Sequence, residues 1–338
     1  MTNFYQLTPK QQSNRLGNLA AKALEAWDIG QNAELELISH RENAVYKVET
    51  PNGKYVLRVH RWGYHSDAAL RSELKWMEAL SRSGIETPEI IKTIQGESFI
   101  TVKVDDVPEV RQVDLFKWID GVPISDLTER GDELTMHRSI GELMARMHNQ
   151  AAEWTLPKDF TRHAWDIEGL LGDQPIWGRF WEMEHFDDEQ REKIHQARRV
   201  AKQQLQEFGQ SEDRYGLIHC DFLPQNLLKD GEIVRVIDFD DCGYGWHMFD
   251  IVTSLYSYTY LPDFNSILTV FLEGYRSWRD LSDEQMEAFD FFLLLRIMTS
   301  CGWLHTRFET ETSRQYSEVM AKTLVARVNA YLDDTNSK

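Results

Sequence analysis

The sequence predicts an α+β fold of two lobes, a small N-terminal lobe with a mixed sheet and a large, mainly helical C-terminal lobe. Residues 34–61 alternate apolar and polar positions around Asn52-Gly53, a pair typical of hairpin turns, and this pattern predicts antiparallel strands. Apolar residues recur at helical spacing over residues 131–149 and through most of the last hundred residues. Because Ile119–Pro123 interrupts the pattern, we place the lobes at residues 1–117 and 118–338.

The first lobe is predicted in more detail from its local patterns. A peripheral amphipathic helix occupies residues 1–30, and three antiparallel strands follow it. The clearest helix spans residues 66–84, because it has a serine cap, an apolar stripe and a terminal glycine. Further strands are expected near residues 89–93, 97–103 and 109–118.

Composition limits the function classes. With 338 residues, 42% hydrophobic and 12% aromatic, the chain can bury real cores. A net charge of −18, from 55 acidic and 37 basic residues, argues against nucleic acid and against anionic lipid as partners. The same charge mildly favours a cationic substrate.

Neither disulfides nor membrane segments are indicated. The three cysteines show no paired spacing, which fits a reducing cytoplasm. The N-terminus lacks a basic region followed by an apolar core, and the longest apolar run, Phe291–Leu295, is too short to span a bilayer. We therefore expect a cytoplasmic protein, as a monomer or a homodimer.

Residues 217–244, LIHCDFLPQNLLKDGEIVRVIDFDDCGY, contain two short strand-like runs joined across Asp230-Gly231. Carboxylates and a carboxamide lie before the first run and after the second. This hairpin brings Asn226, before its first strand, to the same end as Asp238, after its second. His219 and Asp221 lie on the loop that precedes the first strand of the hairpin. Phosphoryl transfer needs oxygen ligands for Mg²⁺ and a carboxylate that accepts the proton of the attacking hydroxyl. Asn226 and Asp238 suit the metal, Asp221 suits the hydroxyl, and their spacing is that of kinase catalytic and metal loops.

A phosphatase alternative remains open at this stage, in which an apolar strand ends in Asp-x-Asp. Asp238 would then be the nucleophile and Asp240 the acid. That alternative expects Thr or Val at Cys242 and an alternating strand-helix domain, whereas the remaining hundred residues have helical patterns.

The motifs HCDFLPQN and IDFDD resemble those of the aminoglycoside phosphotransferase and choline kinase-like superfamily, nearest its branch of homoserine kinase type II and stress-response kinase-like proteins. The resemblance covers about residues 33–305 and implies a protein kinase-like two-lobed fold. It also implies that Asp221 is the catalytic base, that Asn226 and Asp238 are the Mg²⁺ ligands, and that His219 is structural. Cys220 stands where many relatives have a small residue such as Gly, and Asp240 stands where protein kinases have Gly.

In the first lobe the resemblance implies a nucleotide-binding set. The loop 39–44 would cover the ATP phosphates through Asn43, without the glycines of protein kinases. Arg58 occupies the place of the phosphate-anchoring lysine, an exchange that is not conservative. Glu73 would pair with Arg58, and Lys47 is a weaker substitute for the lysine. The backbone of residues 113–118 would receive adenine, in a hinge near 113–121.

In the second lobe the same resemblance implies that Asp250 braces the catalytic loop, while His148 is interpreted as structural. Residues 151–210 carry several tryptophans, which either line the acceptor pocket or pack in the core, the safer expectation.

The sequence therefore predicts an ATP-dependent, Mg²⁺-dependent phosphotransferase, with GTP as an alternative donor. Its acceptor would be a hydroxyl of a small molecule, of the amino alcohol, amino acid, sugar or aminoglycoside type. A Ser/Thr protein kinase of the stress-response type is the second hypothesis. A nucleotide-binding regulatory module without turnover is the third, motivated by Arg58 and the absent glycines.

Overall fold

The computed structural model describes residues 4–127, 133–308 and 310–336, which form two compact units. One unit holds the described residues up to Gly121 together with Leu156–Thr161, and the other holds the remainder. The described strands are β1 Glu34–His40, β2 Ala44–Thr50, β3 Gly53–Val59, β4 Phe99–Val102, β5 Arg111–Lys117, β6 Val122–Pro123, β7 Ala164–Trp165, β8 Tyr215–Ile218, β9 Leu227–Asp230, β10 Ile233–Val236 and β11 Gly243–Trp246. The described α-helices are α1 Pro9–Ala23, α2 Asp67–Arg82, α3 Glu133–Glu153, α4 Ile167–Leu171, α5 Asp188–Phe208, α6 His247–Leu255, α7 Phe264–Arg276, α8 Asp283–Glu287, α9 Phe289–Thr306 and α10 Glu311–Asn336.

The first unit is built on a five-stranded sheet in the order β1-β2-β3-β5-β4, and each neighbouring pair is antiparallel. The hairpin of β2 and β3 pairs Thr50 with Gly53, so its turn consists of Pro51 and Asn52. In β3 and β5, Arg58 lies directly opposite Asp114. Two charged side chains therefore face each other within an otherwise apolar part of the sheet.

Helices α1 and α2 both begin at side-chain caps, and the serine cap of α2 was predicted. Thr8 and Gln11 form a capping box at α1, and the Ser66 side chain accepts a hydrogen bond from the Ala69 amide at α2. The apolar face of α1 adds Leu16, Leu19, Ala20 and Ala23 to the core beneath the sheet. α2 buries its predicted apolar stripe and, within it, Glu73.

Residues 89–93 differ from the prediction of a strand. Ile90 forms a single bridge to Phe116, and the Ile91 amide donates to the Leu115 carbonyl at 2.8 Å. Pro88 at the start of the segment lacks an amide hydrogen, so it cannot donate to a sheet. The segment follows β5 closely without becoming a strand, while the predicted strands at 97–103 and 109–118 are present as β4 and β5.

The second unit combines helices with two small sheets, ordered β10-β9-β6 and β7-β11-β8. Helices α3 and α7 approach closely at Gly141 and Gly274, since an added Cβ would lie 2.1 Å from the Phe271 carbonyl oxygen and 2.0 Å from that of Arg138, respectively. The predicted start of α3 at Gly131 lies outside the described residues. Helix α9 is buried along most of its length and packs against α6 and α10.

The α+β prediction is thus confirmed, with the larger sheet in the first unit and most helices in the second. Within the ranges that the structure describes, none of the helices combines the length and the apolar character needed to cross a membrane.

Candidate active site

The predicted hairpin is present and positions the polar cluster of the second unit. β9 and β10 pair antiparallel, and their turn consists of Gly231 and Glu232, one residue later than the predicted pair. Gly231 adopts a φ of +58°, the left-handed conformation that glycine tolerates best. At the open end, the Ile237 amide donates to the Asn226 carbonyl at 2.9 Å. This bond holds Asn226 beside the residue that follows Ile237, which is Asp238.

Asp221 and Asn226 are joined by their side chains. The Asn226 amide nitrogen donates to Asp221 Oδ2 at 2.8 Å and to the Asp221 carbonyl at 2.9 Å. Asn226 is thereby fixed with its amide nitrogen on the Asp221 carboxylate and its amide oxygen turned away from it. The amide oxygen would then be available as the predicted metal ligand.

His219 holds the loop through hydrogen bonds at both nitrogens of its ring. Its Nδ1 accepts a hydrogen bond from the Asp221 amide at 3.3 Å, so its Nε2 carries the proton and donates to the Ile237 carbonyl at 3.2 Å. Burial lowers the pKa of His219 to about 4, and the ring is therefore neutral near pH 7. The contacts agree with the structural role expected for His219.

Asp250, in the first turn of α6, accepts hydrogen bonds from two successive loop amides. Its Oδ2 accepts from the His219 amide at 3.0 Å and its Oδ1 from the Cys220 amide at 2.7 Å. Cys220 has a φ of +69°, a conformation that glycine adopts most easily, and the two hydrogen bonds to Asp250 hold the loop in it. Burial raises the pKa of the Asp250 carboxyl.

His148 belongs to the same brace and not to the reacting groups. Its Nε2 donates to Asp250 Oδ2 at 3.1 Å, and its Nδ1 accepts from the Tyr275 hydroxyl at 2.8 Å. The ring stacks on His247 with centroids 4.5 Å apart. Burial lowers the pKa of His148 well below its ordinary value, so it acts as a neutral structural side chain, as predicted.

Asp238 is exposed and follows the second strand of this hairpin. Its φ is +64°, so it is a second non-glycine residue of this site, after Cys220, in the left-handed region. Among the residues that the structure describes, no three His, Cys, Asp or Glu side chains form a metal-binding group. Mg²⁺ in phosphoryl-transfer sites usually binds one or two protein side chains and keeps waters and phosphate oxygens as further ligands. The Asp238 carboxylate and the Asn226 amide oxygen fit such a site.

The acidic residues that follow Asp238 are buried in the second unit. Asp240 is 3% exposed, and Asp241 Oδ1 accepts a hydrogen bond from Trp177 Nε1 at 3.2 Å. The strand before them belongs to an antiparallel hairpin, whereas the phosphatase alternative requires alternating strands and helices. Trp177 is itself buried, like Trp165 and Trp181, which agrees with the core-packing interpretation, whereas Trp154 is only half-buried.

Arg296 of α9 reaches the loop at residues 220–221, a contact that was not predicted from the sequence. Its Nη2 lies 3.4 Å from Asp221 Oδ1 and its Nη1 lies 3.4 Å from the Cys220 carbonyl oxygen. The guanidinium is 3% exposed and packs over the rings of Trp177 and Tyr256, with its Cζ 4.9 and 5.3 Å from their centroids. Both oxygens of Asp221 therefore face a donor. The only sequence signal was a charged residue inside the apolar run FFLLLRIM.

In the first unit, the ion pair expected between Arg58 and Glu73 is present, with Nη2 and Oε1 2.7 Å apart. The structure adds Asp114, whose two carboxylate oxygens accept from Arg58 Nε at 3.1 Å and Nη2 at 2.7 Å. His60 Nε2 lies 3.0 Å from Asp114 Oδ2. Asp114 was not identified from the sequence, because its contact with Arg58 depends on the register of β3 and β5.

The remaining predicted residues of this unit have local contacts. Asn43 is buried, and its side-chain oxygen accepts a hydrogen bond from the Arg61 amide at 3.0 Å, so it supports the loop that would cover the phosphates. Lys47 pairs with Glu49 at 3.0 Å on the same strand, as a solvated strand residue would. The roles of Arg58, Glu73 and Asn43 in nucleotide binding stay predictions.

The chain is similar to known kinases and phosphotransferases. The sequence pattern of the phosphotransferase enzyme family matches residues 34–286. The amicoumacin kinase of Bacillus subtilis (strain 168) is 24% identical over 290 residues, which cover 82% of each chain. The homoserine kinase of Methylobacillus glycogenes is 27% identical over 293 residues, which cover 83% of this chain and 81% of that protein.

The solved structure of a microcompartment-associated aminopropanol kinase resembles this chain throughout. It is 32% identical, has a TM-score of 0.84, and the match covers 94% of this chain and 98% of that one. The expected protein kinase-like fold is thereby confirmed, together with the expected similarity to homoserine kinase and phosphotransferase relatives.

Proposed function

The chain belongs to the phosphotransferase enzyme family, and we propose that it transfers the γ-phosphoryl group of ATP to the hydroxyl of a small amino alcohol, with Mg²⁺. The observation that carries this proposal is the Asp221 carboxylate, which is held between the Asn226 amide and the Arg296 guanidinium. A carboxylate fixed in this way can accept the proton of a hydroxyl at the moment of attack.

The proposed reaction is one in-line displacement. The acceptor oxygen forms a bond to the γ-phosphorus, the bond between that phosphorus and the β–γ bridging oxygen breaks, and ADP leaves with the electron pair. Asp221 takes the proton from the acceptor hydroxyl. In this scheme Asp221 aligns the nucleophile as well as accepting its proton, because positioning supplies most of the rate in phosphoryl transfer.

The metal ligands of the proposal are Asn226 and Asp238. The Asn226 amide oxygen and the Asp238 carboxylate would hold Mg²⁺, and the bound ion would supply positive charge against the charge that develops on the phosphate. The chain itself contributes the orientation of these ligands, through the bond from Ile237 to Asn226 and through the hairpin that precedes Asp238.

An amino alcohol is the favoured acceptor for two reasons. The relative with 32% identity over nearly the whole chain is an aminopropanol kinase. In addition, a chain with a net charge of −18 attracts a cationic ammonium group more readily than an anionic acceptor. Homoserine, aminoglycosides and protein serine are the competing acceptors.

The test is an ADP-release assay with ATP or GTP and Mg²⁺, over aminopropanol, ethanolamine, choline, homoserine, an aminoglycoside and a protein substrate. We expect turnover with an amino alcohol, and we expect Asp221→Asn to lower kcat by about 10²- to 10⁴-fold, the usual contribution of a general base. Asp230→Asn is the matched control, because Asp230 lies at the other end of the same hairpin and pairs with Arg235.

Turnover of homoserine or of protein alone would replace the acceptor and leave the phosphotransferase proposal standing. Full activity of Asp221→Asn would disprove the assignment of the base. No turnover with any acceptor, together with no Mg²⁺-dependent rise of Tm on adding nucleotide, would disprove the proposal as a whole.

A further inference from the structure

Arg58 and Asp114 form a buried cross-strand pair in the first unit. They are directly opposite in the register of β3 and β5, and they are 5% and 0% exposed. Side chains at directly opposed positions are the closest neighbours between two strands, so a substitution at one position alters the contacts of the other. The pair therefore has to be considered as one feature of the sheet.

The contact between Arg58 and Asp114 depends on the planar shape of the guanidinium group. Nε and Nη2 each donate to a different oxygen of Asp114, at 3.1 and 2.7 Å, and Nη2 also donates to Glu73 at 2.7 Å. A guanidinium offers two parallel donors in a fixed plane, whereas a lysine ammonium is a point charge. Asp114 is thus matched to arginine and would be poorly matched to lysine.

Arg58 pairs with two carboxylates, those of Asp114 and Glu73, so the protonation state of Asp114 affects how firmly the guanidinium is held. Burial acts to raise the pKa of Asp114, but the Arg58 guanidinium and His60 outweigh it and hold that pKa below its ordinary value. Asp114 therefore stays ionised and keeps Arg58 anchored through its Nε and Nη2 atoms. A lysine at position 58 would instead be drawn toward two carboxylates and away from a phosphate.

We propose that Asp114 is a positioning residue for nucleotide binding, which orients the Arg58 guanidinium toward the phosphates. Arg58 and Asp114 together then take the place of the single lysine expected on β3, and Glu73 serves either arrangement. This inference rests on the proposed function, because it concerns how the same enzyme binds ATP.

The test compares three variants by their KM for ATP. Asp114→Asn and Arg58→Lys should each raise KM by about tenfold, since each leaves half of a matched pair. The double variant R58K/D114N should return to within about threefold of wild type, because its lysine faces Glu73 alone. Such a rescue distinguishes positioning from a general need for the buried pair, since a purely structural loss would accumulate in the double variant.

Glu49→Gln is the control, because it removes a carboxylate from the same sheet at a partly exposed position, where Glu49 pairs with Lys47 and Lys54. Its KM for ATP should equal that of wild type. Urea unfolding of every variant separates lost stability from lost binding. The comparison of R58K with R58K/D114N stays decisive even where D114N alone does not fold.

A double variant no better than R58K would overturn the inference. An unchanged KM for ATP in D114N or in R58K, with or without lower stability, would also overturn it. Both results presuppose a wild-type enzyme that turns over ATP, so they differ from a wild type without turnover, which would instead disprove the proposed function.

Discussion

A single buried side chain, Arg296, brings a positive charge to the loop that carries Asp221. Burial raises the pKa of the Cys220 thiol in this loop, and Arg296 opposes that rise, whereas the carboxylates of Asp221, Asp241 and Asp250 add to it. A guanidinium held between two aromatic rings loses little freedom when it binds a carboxylate. Arg296 therefore both counters the negative charge and orients Asp221.

We expect Arg296→Met to lower kcat by about 10- to 100-fold, since a hydrogen bond to a charged group contributes about 1.5–3 kcal/mol. KM for ATP should change by less than about threefold, because Arg296 contacts the base rather than the predicted nucleotide ligands. Steady-state kinetics with the identified acceptor measure both constants. Arg296→Lys should keep part of the activity, since it retains the charge without the planar stacking.

The control for this variant is Arg307→Met. Arg307 is likewise buried and packs over Trp303, with its Cζ 5.2 Å from the ring centroid, at the end of the same helix. It should affect stability alone. Equal kcat for wild type and Arg296→Met would show that Asn226 orients Asp221 without help.

Contacts between residues that a local pattern brings together were predictable. The hairpin of β9 and β10 is present, and the Asn226 side chain donates to Asp221. The roles of Asp221, Asn226 and Asp238 stay predictions. Arg296 and Asp114 were not predictable, because their contacts join residues that are 75 and 56 positions away in sequence. Such contacts depend on helix packing and on strand register, and neither can be read from local patterns.

At the scale of elements, prediction succeeded for long periodic patterns. It failed where the conformation or the hydrogen bonds of one or two residues determine the local structure. α2, with its cap and its apolar stripe, was predicted closely. The turn of β9 and β10 is shifted by one residue, because Gly231 takes the left-handed first position of the turn. The segment at residues 89–93 was expected to be a strand but makes one bridge only.

Helix α6 is coupled to the catalytic loop through one carboxylate. Asp250→Asn should place an amide group against two backbone N–H donors and His148, so one buried hydrogen-bond donor would face another. We expect a loss of about 1–3 kcal/mol of unfolding free energy. We also expect a fall in kcat, because Cys220 would no longer be held at its positive φ. Urea unfolding and steady-state kinetics measure these two effects.

Asp290→Asn is the control, because Asp290 also lies in the first turn of a helix, α9, but is exposed. It should change the unfolding free energy by less than about 0.5 kcal/mol, as is usual for surface substitutions. A stable and fully active Asp250→Asn would contradict the bracing role of α6.

At the scale of the whole molecule, buried histidines link stability to pH. His137, His148, His219 and His247 are all buried, and burial lowers the pKa of each, to about 4 for His137 and His219. In the unfolded chain their pKa is about 6.5. As pH falls below about 6.5, the unfolded chain therefore binds protons that the folded protein does not, and stability falls with it. Asp250 has the opposite effect on stability at lower pH. Its pKa is raised, so its carboxyl binds a proton more readily in the folded protein than in the unfolded chain.

His137 gives the sharpest test of this linkage. Its ring meets Tyr258 edge-on at 4.6 Å, and within the described ranges neither ring nitrogen has a hydrogen-bond partner; Asp263 is the charged group that acts on it. His137→Phe should raise the unfolding free energy at pH 7, because it removes buried polar atoms. Between pH 7 and pH 5 the variant should lose about 2 kcal/mol less stability than wild type, measured by urea unfolding. His185→Gln, at an exposed histidine, should leave the pH slope unchanged. Equal slopes for wild type and His137→Phe would mean that His137 takes up its proton as easily in the folded protein as in the unfolded chain.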